Sequence, residues 1–343
     1  MREIYGEALE GVLAQYDIDV IDIKVESYKG KKGVWWIKAP DGYKILKKQS
    51  NSKETVGFII AAVEYLQRRG IRIPQIIRTV DGGNYAYSGN NCYILSEAVY
   101  GKNPDYSNPG ELKRTAQEMA RFHKSSIGFT PPADCKPRVH LGKWPEKYRA
   151  DVDKLKNFYA AEGSQPQHSA FGSIILKEFP HFLKRIENSI DGLEGSCYSS
   201  WVNSCIDTGC LCHQDFAAGN LVLTESGEFF VLDTDSVTMD IPIRDVRKLL
   251  LKIMKKRGGW DVGLARDILA WYQEKNPLDL CQWQVLKWEL LYPHLFAGIM
   301  GKYYEKREKS WTEEKYLKRL KEMVHIEKTV EPVIQDFDTV IPR

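Results

Sequence analysis

L-C-H-Q-D-F-A-A-G-N-L-V-L-T-E-S-G-E-F-F-V-L-D-T-D, running from Leu211 to Asp235, reads as a loop followed by a β-hairpin. Cys210 to His213 is a short apolar lead-in. Leu221 to Leu223 is one strand, Thr224 to Glu228 a turn carrying Gly227, and Phe229 to Leu232 the second strand. Polar groups stand where the strands end. Asp215 and Asn220 precede the first strand in the pattern His-x-Asp-x-x-x-x-Asn, and Asp233 follows the second. A hairpin joins its two ends, so Asn220 and Asp233 are expected within a few ångströms of each other. One carboxylate and one amide oxygen then face a hard cation, with a second carboxylate, Asp215, nearby.

That set suits phosphoryl transfer. Mg²⁺ takes few protein ligands and leaves its other positions to water and phosphate oxygens. A separate aspartate can orient an acceptor hydroxyl and take its proton. An ordinary hairpin with acidic ends would not require the ordered set at this spacing.

The stretch resembles the catalytic segment of the aminoglycoside-phosphotransferase and choline-kinase branch of the protein-kinase-like fold. Within that branch it looks most like the CotS-type spore-coat proteins of endospore-forming bacteria. The resemblance is carried by His213-Gln214-Asp215, Gly219-Asn220, Val231 to Asp235, and Ile241 to Val246. It implies Asp215 as catalytic base, Asn220 and Asp233 as metal ligands, and Asp245 as a buried carboxylate supporting the loop. Two departures stand out: the family usually has Gly at Gln214, and commonly His-Pro at Ala217-Ala218. Neither removes a ligand; both alter the loop wall.

The chain of 343 residues is long enough for two lobes, and its 43% hydrophobic and 28% charged content is that of a globular protein. A net charge of +3 gives no global case for nucleic acid or an anionic membrane. No apolar run approaches a membrane span, and Met1 to Glu7 lacks a signal-peptide core, so synthesis in the cytoplasm without a signal peptide is expected. Seven cysteines suggest reduced thiols. Cys205, Cys210, Cys212 and His213 lack the spacing of a zinc knuckle and read as small buried hydrophobes.

Upstream, residues 3–16 are patterned as an amphipathic helix and Asp17 to Val25 as a strand. Ser27 to Gly33 is a Gly- and Lys-bearing turn before a second strand, Val34 to Ile37. Tyr43 to Lys48 is the third strand, with Ile45 and Lys47 on one face and Lys44, Leu46 and Lys48 on the other. The resemblance points to Lys47, after Ile45-Leu46, as the contact to the ATP phosphates; Lys44 and Lys48 are alternatives. A helix over 53–69, capped by Ser52 and ended by Gly70, should carry a glutamate that pairs with this lysine. Glu54 is the first candidate and Glu64 the second. Asn91 to Glu97 followed by Ala98-Val99-Tyr100-Gly101 resembles the hinge between kinase lobes, whose backbone from Glu97 to Val99 would bond the adenine edge.

Helices are expected at 110–125, 146–160, 172–192, 246–256, 264–274, 280–299 and 312–330, with a loop over 127–146. Aromatics from Trp283 to Tyr304 read chiefly as core, with Tyr292 and His294 able to face an acceptor. The expectation is an α+β, two-lobed protein-kinase-like fold. A small mixed sheet (1–97) would bind nucleotide, and a larger helical lobe (98–343) would hold catalysis and acceptor. The function expected is transfer of the ATP γ-phosphoryl group, with Mg, to a hydroxyl of a small molecule or protein, in a product of the spore coat that could also meet other coat proteins. Two rivals are a structural coat protein that keeps the fold with weak or no catalysis, and a cytoplasmic small-molecule kinase unconnected with spores.

Overall fold

Alternating side chains build the sheet. In the computed structural model, which describes residues 7–342, β1 (Asp22–Tyr28), β2 (Gly33–Ala39), β3 (Gly42–Gln49), β4 (Ala86–Ser88) and β5 (Asn91–Glu97) pair in the order β1-β2-β3-β5-β4. Every pairing is antiparallel, so the sheet is not mixed. Successive hairpins join β1, β2 and β3; after a helix, a β4–β5 hairpin lays β5 antiparallel against the other edge of β3. One face carries Trp35, Ile37, Leu46 and Leu95 into a core with Leu9, Val12 and Leu13. The other carries Ile45, Lys47 and Gln49.

The first expected helix is cut short. Its opening residues lie outside those described, and only α1 (Glu10–Leu13) is helical. Tyr16, expected as its last turn, instead forms a bridge with Thr79 and donates its hydroxyl to the Tyr93 carbonyl at 2.9 Å. The following strand starts at Asp22 rather than at residue 17. Helix α2 (Lys53–Arg68) is capped by Ser52, whose hydroxyl accepts the Thr55 N–H, and Gly70 follows it at φ 87°. The later hairpin, β6 (Leu221–Leu223) and β7 (Phe229–Val231), pairs Leu221 with Val231, and Leu223 bridges to Lys102. One compact unit gathers the residues up to Asp105 with Gly128–Val139 and Asp215–Thr238.

The second unit takes Tyr106–Ile127, His140–Gln214 and the residues from Met239 onward. It is helical: α3 (Pro109–Ser126), α4 (Trp144–Gly163), α5 (Ala170–Glu194), α6 (Tyr198–Thr208), α7 (Ile243–Arg257), α8 (Val262–Gln273), α9 (Leu280–Leu291), α10 (His294–Tyr304) and α11 (Glu313–Thr329). The helix expected over 280–299 is two, because Pro293 supplies no N–H and Tyr292 turns to ψ 121°. Trp283, Tyr292 and Phe296 are buried, as core aromatics should be.

Charges inside this unit are paired. Glu289 is fully buried and takes Arg244 at 3.0 Å, Arg247 at 3.3 Å and the Tyr148 hydroxyl. Arg185 of α5 meets the Glu327 carboxylate of α11 at 3.3 Å, and Glu327 accepts the Leu295 N–H at 2.7 Å. The expectation of reduced thiols fails for two cysteines. Cys197, just before α6, is disulfide-bonded to Cys281 in the first turn of α9. The packing of α6 on α9 brings them to a Cα separation of 6.0 Å. Cys210 and Cys212 are buried free thiols that donate to the carbonyls of Asp240 and Ile241, and Cys205 is also free and buried.

Candidate functional site

The loop before β6 is held from both ends of its sequence. Within the helical unit, the buried Asp245 carboxylate accepts the His213 N–H at 2.6 Å and the Gln214 N–H at 2.9 Å. His123 and its hydrogen bonds to that unit keep Asp245 charged: burial pushes its pKa up, but the bond to His123 and the nearby positive groups bring it below the usual value. His123 also meets the Tyr272 hydroxyl at 2.9 Å, so it is a packed histidine at the end of α3. Gln214 has φ 70°, a left-handed conformation that glycine adopts without a steric cost. Its side chain is tied down instead: Lys248 donates to Oε1 at 2.8 Å and to the backbone carbonyl at 2.7 Å.

In the sheet unit, the hairpin brings its polar ends together. Asn220 donates from Nδ2 to both the backbone carbonyl and Oδ2 of Asp215, each at 2.9 Å. That points the amide nitrogen at Asp215, and Oδ1 makes no hydrogen bond among the described residues. The Leu232 N–H donates to the Asn220 carbonyl at 2.8 Å, which sets Asp233 one residue beyond the pairing. Asp233 itself lies at φ 54° and ψ 51°. Its carboxylate accepts Lys47 Nζ at 2.9 Å.

The three candidate lysines separate by face. Lys44 pairs with Glu97 at 2.7 Å and with Asp41 at 2.9 Å, and Lys48 pairs with Glu7. Lys47 alone of the three lines a cavity of about 610 Å³ that also takes Asn220, Asp233 and Asp235. Burial there would depress the Lys47 ammonium, but Asp235 and Asp233 outweigh it and raise its pKa. Apolar walls come from Val34, Ile45, Ile94, Val222 and Leu232, a slot of the kind an aromatic base fills. Residues 29–32 close a tight hairpin turn with Gly30 at φ 63° and are not part of that lining.

Glu97 and Val99 lie at one edge of the cavity. The Ala98 N–H crosses to the Tyr43 carbonyl of β3, whereas the Glu97 N–H turns the other way, to Gln75. Backbone groups of 97 and 99 therefore point away from β3, and the Val99 N–H meets no acceptor among the described residues. Glu54 is exposed at the start of α2, where Ser52 bonds its carboxylate, and Glu64 pairs with Arg78 at 2.9 Å. Neither glutamate is brought to Lys47. The face α2 turns to the cavity is Ile59, Ile60 and Val63.

Gln49 and Asp235 are among the lining residues that the sequence reading missed. Gln49 shares the face of Lys47 two positions on, a signal present in the strand alternation. Asp235 is the second acid of the D-T-D run; its Oδ1 takes the Gln49 Nε2 at 3.3 Å, and its carbonyl takes the Arg138 guanidinium. The helical unit has its own pocket of about 240 Å³, where Tyr292 and His294 meet Lys147, Lys154, Asp151 and Arg307. Burial drives the His294 pKa down to about 4, so this ring is neutral at pH 7.

The comparisons agree with this fold. The family model described as "Spore coat putative kinase YutH" matches residues 14–337. Spore coat protein S of Bacillus subtilis (strain 168) is 32% identical over 328 residues, which is 96% of this chain and 93% of that protein. Among solved structures, an aminoglycoside phosphotransferase from Alicyclobacillus acidocaldarius superposes with a TM-score of 0.81 at 16% identity, covering 96% of this chain and 95% of that one. Spectinomycin phosphotransferase in complex with ADP and spectinomycin gives 0.62 at 14% identity over 93% and 96% of the two chains. At such identities the likeness establishes the fold, which is kinase-like. The chain belongs to the YutH/CotS-type family of spore-coat proteins, built on the aminoglycoside-phosphotransferase form of the kinase-like fold.

Proposed function

We propose that this chain is a spore-coat-associated phosphotransferase that moves the γ-phosphoryl group of ATP to a hydroxyl acceptor. The observation that carries the reading is the single cavity that takes an ammonium (Lys47), an amide (Asn220) and a carboxylate (Asp233) beside an apolar slot edged by Glu97 and Val99. Adenine would lie in that slot, bonded by the Val99 N–H and the Glu97 carbonyl. Lys47 would hold the α and β phosphates.

The oxygen donors of Asn220 and Asp233 fit Mg²⁺, which prefers hard oxygen ligands and keeps room for phosphate. Such an ion would supply charge neutralisation for the transferring phosphoryl group. Asp215 accepts the acceptor's proton, and the Asn220 amide fixes the rotamer of that carboxylate. Catalysis of this kind is positioning and electrostatics, with no covalent enzyme intermediate. The acceptor is a small molecule or a protein side chain that carries a hydroxyl.

Titration of the purified protein with Mg·ATP tests the reading. Saturation at 100-fold the dissociation constant should stabilise the fold by about 2.7 kcal/mol, seen as a rise in Tm. Asp215→Asn should keep that shift and lose a factor of about 10²–10⁴ in turnover, the usual worth of a general base. No shift with Mg·ATP, or equal turnover in the variant, would end it. One observation favours a second reading, a coat protein that binds nucleotide with little turnover: α2 brings no glutamate to Lys47. Under that reading Mg·ATP still raises Tm, but no γ-phosphate is consumed with any hydroxyl metabolite or coat extract.

A further inference from the structure

Lys47 has a difficulty that its present partner cannot solve. Its ammonium is paired with Asp233, the carboxylate that a divalent ion would claim. An ammonium inside a cavity needs a counter-charge or acceptors at every stage, because burying it alone is costly. Kinase-like sites meet that need with a glutamate from the helix after β3. Here that helix faces the cavity with Ile59, Ile60 and Val63, and its two glutamates are engaged elsewhere.

A replacement lies along β3. Gln49 is only 3% exposed and lines the same cavity, yet its Oε1 is buried without a hydrogen-bond partner. Its other end, Nε2, is fixed on Asp235. Turning the amide over would set Oε1 against the Asp235 carboxylate, so the orphan acceptor belongs where it is. Asp235 is itself held through its backbone by Arg138, which also bonds the Asn51 side chain. Buried acceptors left open in a cavity need a donor, and Lys47, two residues back on the same face of β3, is a mobile donor lining that cavity.

We propose that Asp235 and Gln49 Oε1 form a second berth for the Lys47 ammonium, in place of an α2 glutamate, when Asp233 is drawn to a divalent cation. The inference rests on the kinase reading above. It makes Gln49 and Asp235 positioning residues. They would act on phosphate only through Lys47.

The test measures binding of a non-hydrolysable ATP analogue to the full chain, with and without Mg²⁺, in wild type, Asp235→Asn, Gln49→Leu and Glu54→Gln, each checked for native Tm. With Mg²⁺, Asp235→Asn and Gln49→Leu should each weaken binding by about 10- to 100-fold, the worth of one charge-assisted hydrogen bond. Without the metal both should stay near wild type, because the Lys47–Asp233 pair is intact. Glu54→Gln should change neither. Labelling of Lys47 by an amine-reactive reagent, read by mass spectrometry, should rise in Asp235→Asn only when Mg²⁺ is present. Variants that bind like wild type, or a Glu54→Gln loss equal to that of Asp235→Asn, overturn the berth alone. So does a shifted Mg²⁺ midpoint in Asp235→Asn with Gln49→Leu silent, which makes Asp235 a metal ligand. A wild type that binds no nucleotide with Mg²⁺ overturns the kinase reading as well.

Discussion

Gln214 occupies a backbone conformation that costs an L-residue about 1 kcal/mol or more, and it compensates with bonds from its side chain to Lys248 and Asp240. The two effects can be separated. Gln214→Ala loses the bonds and keeps the strained Cβ; Gln214→Gly loses the bonds and relieves the strain. The glycine variant should unfold at higher urea, by about 1 kcal/mol. Equal stability would mean that φ 70° is not strained here. Some of this site was legible residue by residue. Asp215, Asn220 and Asp233 sit at the ends of a local hairpin, and strand parity put Lys47 on the opposite face from Lys44 and Lys48, with the resemblance pointing to Lys47. Its partner was not legible, because the 186 positions between Lys47 and Asp233 are closed only by the fold.

Elements were readable where a periodicity or a breaker fixed them. Ser52 and Gly70 bounded α2 to within two residues. The failures had particular causes. Tyr16 joined a bridge with Thr79, so the first helix stopped early, and Pro293 broke a run whose apolar pattern continues across it. Helix α6 went unread, with Cys197 at its N-cap and no side-chain cap to mark its start. Gly101, at φ 155°, is a tighter constraint than its place after the hinge suggested, because a Cβ there would collide with the Leu223 carbonyl. Gly101→Ala should cost roughly 2 kcal/mol or more in chemical denaturation and weaken nucleotide binding. At the α10–α11 junction, burial pushes the Glu327 carboxyl up to about 7 against the opposing pull of Arg185. A carboxyl whose folded pKa is raised adds its stability below its unfolded value, near 4.5, and loses it as pH climbs through 7. The unfolding free energy of wild type relative to Glu327→Gln should therefore fall by ~3 kcal/mol between pH 4.5 and pH 7.5. A flat difference would place an ordinary carboxylate there.

At the scale of the whole molecule, the disulfide is the feature that no local pattern announced. Cys197 and Cys281 are 84 positions apart and meet only because α6 packs on α9. Closing a loop of that length restricts the unfolded chain and is worth about 4.5 kcal/mol in the chain-entropy account. A thiol reductant should lower the Tm of wild type and leave Cys281→Ser unmoved; a wild type insensitive to reduction would deny the bond a stabilising role. The chain also passes from one compact unit to the other five times. On a ribosome, the sheet-bearing unit must wait for residue 238 before its last segment exists. The sheet is complete at Glu97, so at ordinary elongation rates it stands finished for roughly 7–30 s before its late hairpin exists. The nascent protein thus spends most of its birth with the lysine made and its aspartate still unwritten.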